Sequence, residues 1–169
     1  MTIRPIRRNE TPLLTEFLYE AIFTAGAAPP PRTVIQHPML WRYIDRFGSR
    51  RHDHCLVAEQ DGYIVGAVWV RLMHGYGFRD SRTPEMAIAV YPQWRGRGIG
   101  TRLVAGMEHL LRNKSYAAVS LSVQRDNPAV RLYERAGFVE TEASGQELVM
   151  VKNFLPLSEQ TTPTKDEKD

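Results

Sequence analysis

The run Glu85-Met-Ala-Ile-Ala-Val90-Tyr-Pro-Gln-Trp-Arg95-Gly-Arg-Gly-Ile-Gly100 constrains the chain more than any other. Met86 to Val90 is small and apolar and reads as a strand. Pro92 has no N–H for a sheet ladder and ends it. Gly96, Gly98 and Gly100 punctuate the loop that follows. From Thr101 to Asn113, Leu103, Val104, Met107, Leu110 and Leu111 fall on one stripe of a helix, which reads as core. Strand, glycine loop and helix in this order aim backbone N–H groups at an anion, because a helix N-terminus carries unsatisfied donors and partial positive charge. Glycines let the backbone come close, and successive amides form a concave nest. Arg95, Arg97 and Arg102 add charge suited to phosphate. The stretch reads as a pyrophosphate site, with the backbone of Arg95, Gly96, Arg97, Gly98, Ile99, Gly100 and Thr101 as the cradle.

Two common pyrophosphate motifs do not fit. A P-loop needs Gly-Lys-Ser/Thr, whereas Gly100, Thr101 and Arg102 stand here. The dinucleotide fingerprint Gly-x-Gly-x-x-Gly misses Gly96, Gly98 and Gly100 by one position. A second block lies downstream: Ser120 to Phe138 reads as strand, loop, short helix and glycine stop, with Asn127-Pro128 in cap-then-proline order and Gly137 at the end.

Together the two blocks resemble the GCN5-related N-acetyltransferases. Arg95-Gly-Arg-Gly98-Ile-Gly100 fits that family's acetyl-CoA loop, Arg/Gln-x-x-Gly-x-Gly/Ala, and Asn127 to Phe138 fits its Asn-x-x-Ala-x-x-Leu-Tyr-x-x-x-Gly-Phe signature, except that Ala129 stands two residues after Asn127. The resemblance is clearest over residues 84–139. It implies an α/β fold with a mixed, mostly antiparallel sheet of about six or seven strands flanked by about four helices. It also implies acetyl-CoA as co-substrate, no metal, and an amine acceptor that is a small molecule or a peptide. Family members are often dimers, so a homodimer is among the states implied.

The rest of the chain agrees with one α/β domain over residues 1–156. Thr2 to Arg7 reads as a strand. Thr11 and Pro12 open a helix carrying Leu13, Leu14, Phe17, Leu18, Ala21 and Ile22. Gly26 and Pro29 to Pro31 end it and exclude another helix until about Pro38. Met39 to Phe47 reads as a second helix. Cys55 to Glu59 and Tyr63 to Met73 form a hairpin about Asp61-Gly62. A polar and aromatic loop, His74 to Pro84, follows; such loops are often functional, and an exposed connection is the plain alternative. Ala117 to Val123 reads as a buried strand, and Phe138 to Glu142 with Glu147 to Val151 as a closing hairpin. Residues 157–169 are too polar to bury surface and read as a disordered tail.

Composition excludes other classes. A net charge of +3 over 169 residues suits a basic surface around an anionic cofactor better than a nucleic-acid platform, since no basic cluster interleaves with aromatics. One cysteine, Cys55, allows no internal disulfide or multi-cysteine metal site, and its apolar setting reads as a buried, inert thiol. No signal peptide or long apolar run is present, so a cytoplasmic protein with no membrane partner is expected.

Acetyl transfer from a thioester to an amine requires a held donor, a polarised carbonyl, an amine that loses its proton and a thiolate that gains one. The resemblance implies that backbone groups of Ile88, Ala89 and Val90 pair with the pantetheine arm and that Asn127 contacts it, although Asn127 also reads as a helix cap. Tyr133 matches the family's general acid; a helix tyrosine packed beside Leu132 is the bland alternative. Glu85 is the candidate base. It lies one position from the family's glutamate, which on a strand changes the face; a glutamate facing solvent or an arginine is the alternative. Ser122, between Leu121 and Val123, argues against the mechanism of the branch that acetylates ribosomal-protein N-termini and leaves a route in which water carries the proton. His74, Asp80 and His54 are reserves. Tyr76 and Phe78 could line the acceptor pocket. Two rival readings remain: a non-catalytic acyl-CoA sensor, and an acetyltransferase-fold toxin acting on aminoacyl-tRNA.

Overall fold

A computed structural model describes residues 1–154; the expected tail over 157–169 lies outside the described residues. Seven strands form one sheet: β1 (Thr2–Pro5), β2 (His54–Gln60), β3 (Tyr63–Arg71), β4 (Glu85–Val90), β5 (Ala118–Gln124), β6 (Val139–Ser144) and β7 (Glu147–Asn153). Their order is β1-β2-β3-β4-β5-β7-β6. All neighbours are antiparallel except β4 and β5, which run parallel. Among the described residues four α-helices form: α1 (Leu14–Glu20), α2 (Pro38–Trp41), α3 (Ile99–Asn113) and α4 (Ala129–Arg135). This is the mixed, mostly antiparallel architecture the resemblance implies.

Alternation along the strands divides the core in two. Met86, Val68 and Leu121 pack with α3 and α4, where Leu103, Met107 and Leu111 are wholly buried; each such side chain contributes about 1.5–3 kcal/mol. Ala89, Ala67, Trp69 and Val57 face the other way, against Leu14, Phe17 and Leu18 of α1 and Ile35, Tyr43 and Ile44. The hairpin between β2 and β3 turns on Asp61 and Gly62, at φ 52° and 82°, the left-handed pair a two-residue hairpin requires.

The helical boundaries differ from the spacing-based expectation, each for a local reason. The first helix does not start at Pro12 with Thr11 as cap. A 3-10 turn runs from Arg8 to Leu13 and α1 begins at Leu14. The Glu10 carboxylate, held by Arg4 at 2.8 and 2.9 Å, accepts the Arg7 N–H at 2.8 Å and starts the turn there. After Pro31 a 3-10 turn forms over Arg32–Gln36, because a proline just ahead of a helical turn has no N–H to satisfy and a φ already suited to it. The helix expected over 39–47 stops at Trp41. Beyond it the Arg71 guanidinium takes the carbonyls of Arg42 and Asp45 at 2.9 and 2.8 Å, and Arg46 turns to φ 48°.

Candidate active site

Parallel pairing of β4 with β5 is confined to Glu85 opposite Ser120. Past that point β4 keeps β3 on one side and, among the described residues, has no ladder partner on the other, so the sheet opens into a wedge with Glu85 and Ser120 at its apex. The Tyr91 N–H donates to Val65 O at 3.0 Å and the Ser120 N–H to Pro84 O at 3.0 Å. By the alternation of an antiparallel ladder, Ile88 and Val90 then turn their N–H and C=O groups into the wedge, while Ala89 turns its own toward β3. Ala89 O sits 3.1 Å from where a Gly66 Cβ would lie, on the β3 side. Of the three residues expected to offer backbone to a pantetheine arm, Ile88 and Val90 therefore face the wedge and Ala89 does not. Part of Val90 is engaged as well, because Arg95 Nε donates to its carbonyl at 2.9 Å.

The glycine loop lies at the open end of the wedge. A short 3-10 turn, Pro92–Trp94, leads into it. Gly96 and Gly98 have φ of 72° and 75°, and a Cβ on either would meet nothing within 4 Å. These two glycines answer a backbone requirement, since side chains rarely adopt that region. Gly100 answers packing, because its Cβ would lie 3.3 Å from Leu132 Cδ2 on α4. The helix starts two residues earlier than the spacing suggests. Gly98 is its N-cap with no side chain to cap it, and the first intrahelical bond joins the Arg102 N–H to Gly98 O at 3.1 Å. The N–H groups of Ile99, Gly100 and Thr101 thus precede the helical ladder and are the donors an anion would take.

The arginines divide their work. Arg95 staples the loop to the end of α1 through the Glu20 carbonyl and carboxylate, both at 3.3 Å. Arg102 donates to Met1 O at 3.2 Å. Arg97 lies over the Trp94 ring, 4.8 Å from its centroid, and is exposed, so it is the guanidinium best placed for a phosphate.

Asn127 and Tyr133 arrive from the second block. Asn127 Oδ1 accepts the Ala129 N–H at 2.9 Å and thereby caps α4; its amide NH₂ is left to donate. Tyr133 is buried on α4, with Phe138 5.8 Å away between ring centroids. Burial alone acts on its phenol and pushes its pKa up.

Glu85 is 1% exposed and faces the α1 side of the sheet. Its Oε1 accepts the Gly75 N–H at 2.7 Å, and its Oε2 accepts the Tyr43 O–H at 2.9 Å and the Gly77 N–H at 3.0 Å. Burial raises its pKa above the ordinary value, opposed by these three donors. Burial is also the main cause that raises the Tyr43 phenol, with the Glu85 charge adding to it. Tyr43 Oη in turn accepts the Tyr76 N–H at 3.1 Å. The carboxylate therefore fixes the turn from Gly75 to Phe78. Gly77 lies directly on β5, where a Cβ would come 2.6 Å from Leu121 C and 2.7 Å from Ser122 N. His74 stacks on Phe78 at 3.8 Å between centroids. Asp80 caps its own loop through the N–H groups of Arg82 and Thr83, and His54 bonds to Tyr116, so neither approaches the wedge. Ser120 Oγ is the one wholly buried side-chain oxygen or nitrogen without a partner among the described residues.

Spacing did not reveal the support behind Tyr43. Arg71 makes two bonds to Asp53, at 2.8 and 2.9 Å, with both side chains almost wholly buried. Trp69 Nε1 donates to Tyr43 O at 3.1 Å. An arginine closing an apolar strand was the one visible signal. Among the described residues, no group of three metal-ligating side chains is present and no helix is long and apolar enough to cross a membrane.

The model of the acetyltransferase (GNAT) family matches residues 19–138. An acetyltransferase of Pectobacterium atrosepticum is 36% identical over 115 residues, which cover 66% of this chain and 77% of that protein. A mycothiol acetyltransferase of Arthrobacter is 36% identical over 90 residues, covering 52% of this chain; the chain spans 28% of that relative's length. Among solved structures, the PaiA N-acetyltransferase of Thermoplasma acidophilum in complex with coenzyme A superposes with a TM-score of 0.68 at 18% identity, covering 91% of this chain and 100% of that one. At that identity the likeness concerns the fold.

Proposed function

This chain belongs to the acetyltransferase (GNAT) family, and from that premise we propose that it moves an acetyl group from acetyl-CoA to a primary amine by direct attack. The observation that carries the proposal is the wedge between β4 and β5, into which Ile88 and Val90 turn backbone groups, continuous with the uncapped N–H groups of Ile99, Gly100 and Thr101. Bound there, acetyl-CoA supplies an activated acyl group and a thiolate leaving group.

The chain's own residues hold and polarise. The α3 amides and Arg97 take the pyrophosphate. The Ile88 and Val90 N–H groups and the Asn127 amide align the pantetheine arm, and a β4 N–H faces the thioester oxygen as charge builds on it. The amine nitrogen forms a bond to the carbonyl carbon, the C–S bond breaks, and Tyr133 Oη gives its proton to the departing sulfur. The amine proton passes to solvent water at the open end of the wedge, and solvent returns a proton to Tyr133. Glu85 acts as a positioning residue, because its two oxygens already serve three donors. It holds the Gly75–Phe78 turn, whose Tyr76 side chain is exposed and available to an acceptor. The acceptor is a small-molecule or peptide amine.

The enclosure of Glu85 also favours a second reading, an acyl-CoA sensor without turnover. Thermal unfolding with and without saturating acetyl-CoA, followed by thiol release across a panel of amines, separates the two. A raised melting temperature is expected for the wild type, with thiol release, and no rise for Gly98→Glu. A rise without turnover on any amine supports the sensor. No rise in the wild type overturns both.

A further inference from the structure

We propose that a second cavity, at the far end of α3 from the glycine loop, binds a small molecule carrying two or more negative charges. The cavity measures about 720 Å³ and lies between the start of β2, the end of β3, residues 79–83 and the segment 114–118 that joins α3 to β5. That volume suits a ligand of metabolite size. Fifteen residues of α3, about 22 Å at 1.5 Å each, separate it from the glycine loop.

Its wall is strongly cationic. Arg51, Arg79, Arg82 and Lys114 all line it and all are exposed. Among the described residues only Arg79 has a carboxylate partner, Asp80 at 3.7 Å. That carboxylate is turned to its own loop, where it accepts the Arg82 and Thr83 N–H groups, both at 2.8 Å. The nearby Asp53 carboxylate is committed to Arg71. The carbonyl end of α3 adds roughly half a negative charge, too little to offset four cations in a concave wall, where charge of one sign concentrates the field.

His52 and His54 complete the wall. His52 Nδ1 and His54 Nε2 lie 2.6 and 3.0 Å from the same Tyr116 Oη. One phenol can donate to one ring and accept from the other, which fixes both imidazoles and leaves each a second nitrogen for a ligand. Cations on an open surface would spread apart; here two rings and a half-buried phenol hold the concavity they surround. The site also has a route to the wedge. Arg79 and Arg82 stand on the same loop as Gly75 and Gly77, which Glu85 anchors at its other end. An anion that bridges the two arginines fixes the second end of the loop.

The test uses the full chain and follows the imidazole proton signals of His52 and His54 at fixed pH, with citrate and inorganic pyrophosphate as probes. These rings lie far from the glycine loop, so pyrophosphate bound there does not mimic the result. Both signals are expected to move together and saturate, and to respond less to acetate. Arg82→Ala combined with Lys114→Ala, which alters exposed side chains only, should weaken binding by about tenfold or more, and added sodium chloride should weaken it further. Signals that stay still with both probes overturn the proposal, as does a double variant that binds as tightly as the wild type. A short RNA that moves the rings where citrate and pyrophosphate do not would assign the surface to a polyanion and overturn it as well.

Discussion

Tyr43 donates its phenolic proton to Glu85 Oε2 across 2.9 Å, tying the turn after α2 to the first residue of β4. The same carboxylate holds the Gly75 and Gly77 N–H groups. One buried side chain thus joins three segments at the apex of the wedge.

The Glu85→Gln variant tests whether that role is positional. Burial raises the folded-state pKa above its ordinary value of 4.5. The stability linked to it is fully present below the unfolded value and is lost as pH rises through the folded one. Urea unfolding of the wild type should weaken across that window, and the glutamine variant should show a flatter profile. Its kcat should fall while the acid limb of the pH–rate profile stays in place. Disappearance of that limb would make Glu85 the base.

Gly77→Ala should displace the turn from β5. The new Cβ would meet backbone atoms of Leu121 and Ser122 at 2.6 and 2.7 Å, and backbone cannot yield as a side-chain tip can. A loss of about 1–3 kcal/mol in urea unfolding is expected, with a larger proportional loss of turnover. A variant with wild-type stability and rate would show that the turn is not seated on β5.

Tyr133→Phe separates chemistry from packing. Among the described residues nothing but burial acts on the phenol, so removing its oxygen should change stability little. Turnover should fall by about a hundredfold or more if the phenol protonates the thiolate, with acetyl-CoA affinity retained. Equal turnover would remove Tyr133 from the chemistry.

Asp53→Ala should be the most destabilising of these changes. It leaves Arg71 buried without its carboxylate, at a cost of about 3–5 kcal/mol. It also loosens the carbonyls of Arg42 and Asp45 that Arg71 holds, and with them Tyr43. Denaturant titration checks the first effect. The Michaelis constant for the amine, expected to rise more than that for acetyl-CoA, checks the second.

The sequence by itself determined the sheet and the glycine loop. The central strands β2 to β5 and β7 announced themselves by apolar runs and turn residues, whereas β6 is exposed throughout, and the hairpin at Asp61-Gly62 followed from the dipeptide. Gly96 and Gly98 were legible because positive φ leaves little choice of residue, and Tyr133 because a fixed spacing from Asn127 places it on one helix. These are local constraints, written over a dozen residues or fewer. Tertiary structure alone decided the rest. Glu10 starts a 3-10 turn because Arg4 reaches it from β1, and the second helix stops because Arg71 captures its next carbonyls. Ala89 turns its backbone to β3 because the ladder's phase is set by pairing. Glu85 read as a candidate base or as a carboxylate facing solvent or an arginine; the partners it has in the fold, Tyr43, 42 residues away, Gly75 and Gly77, could not be read from spacing. Buried polar groups must find partners, and which partners they find depends on segments that meet only when the chain is folded.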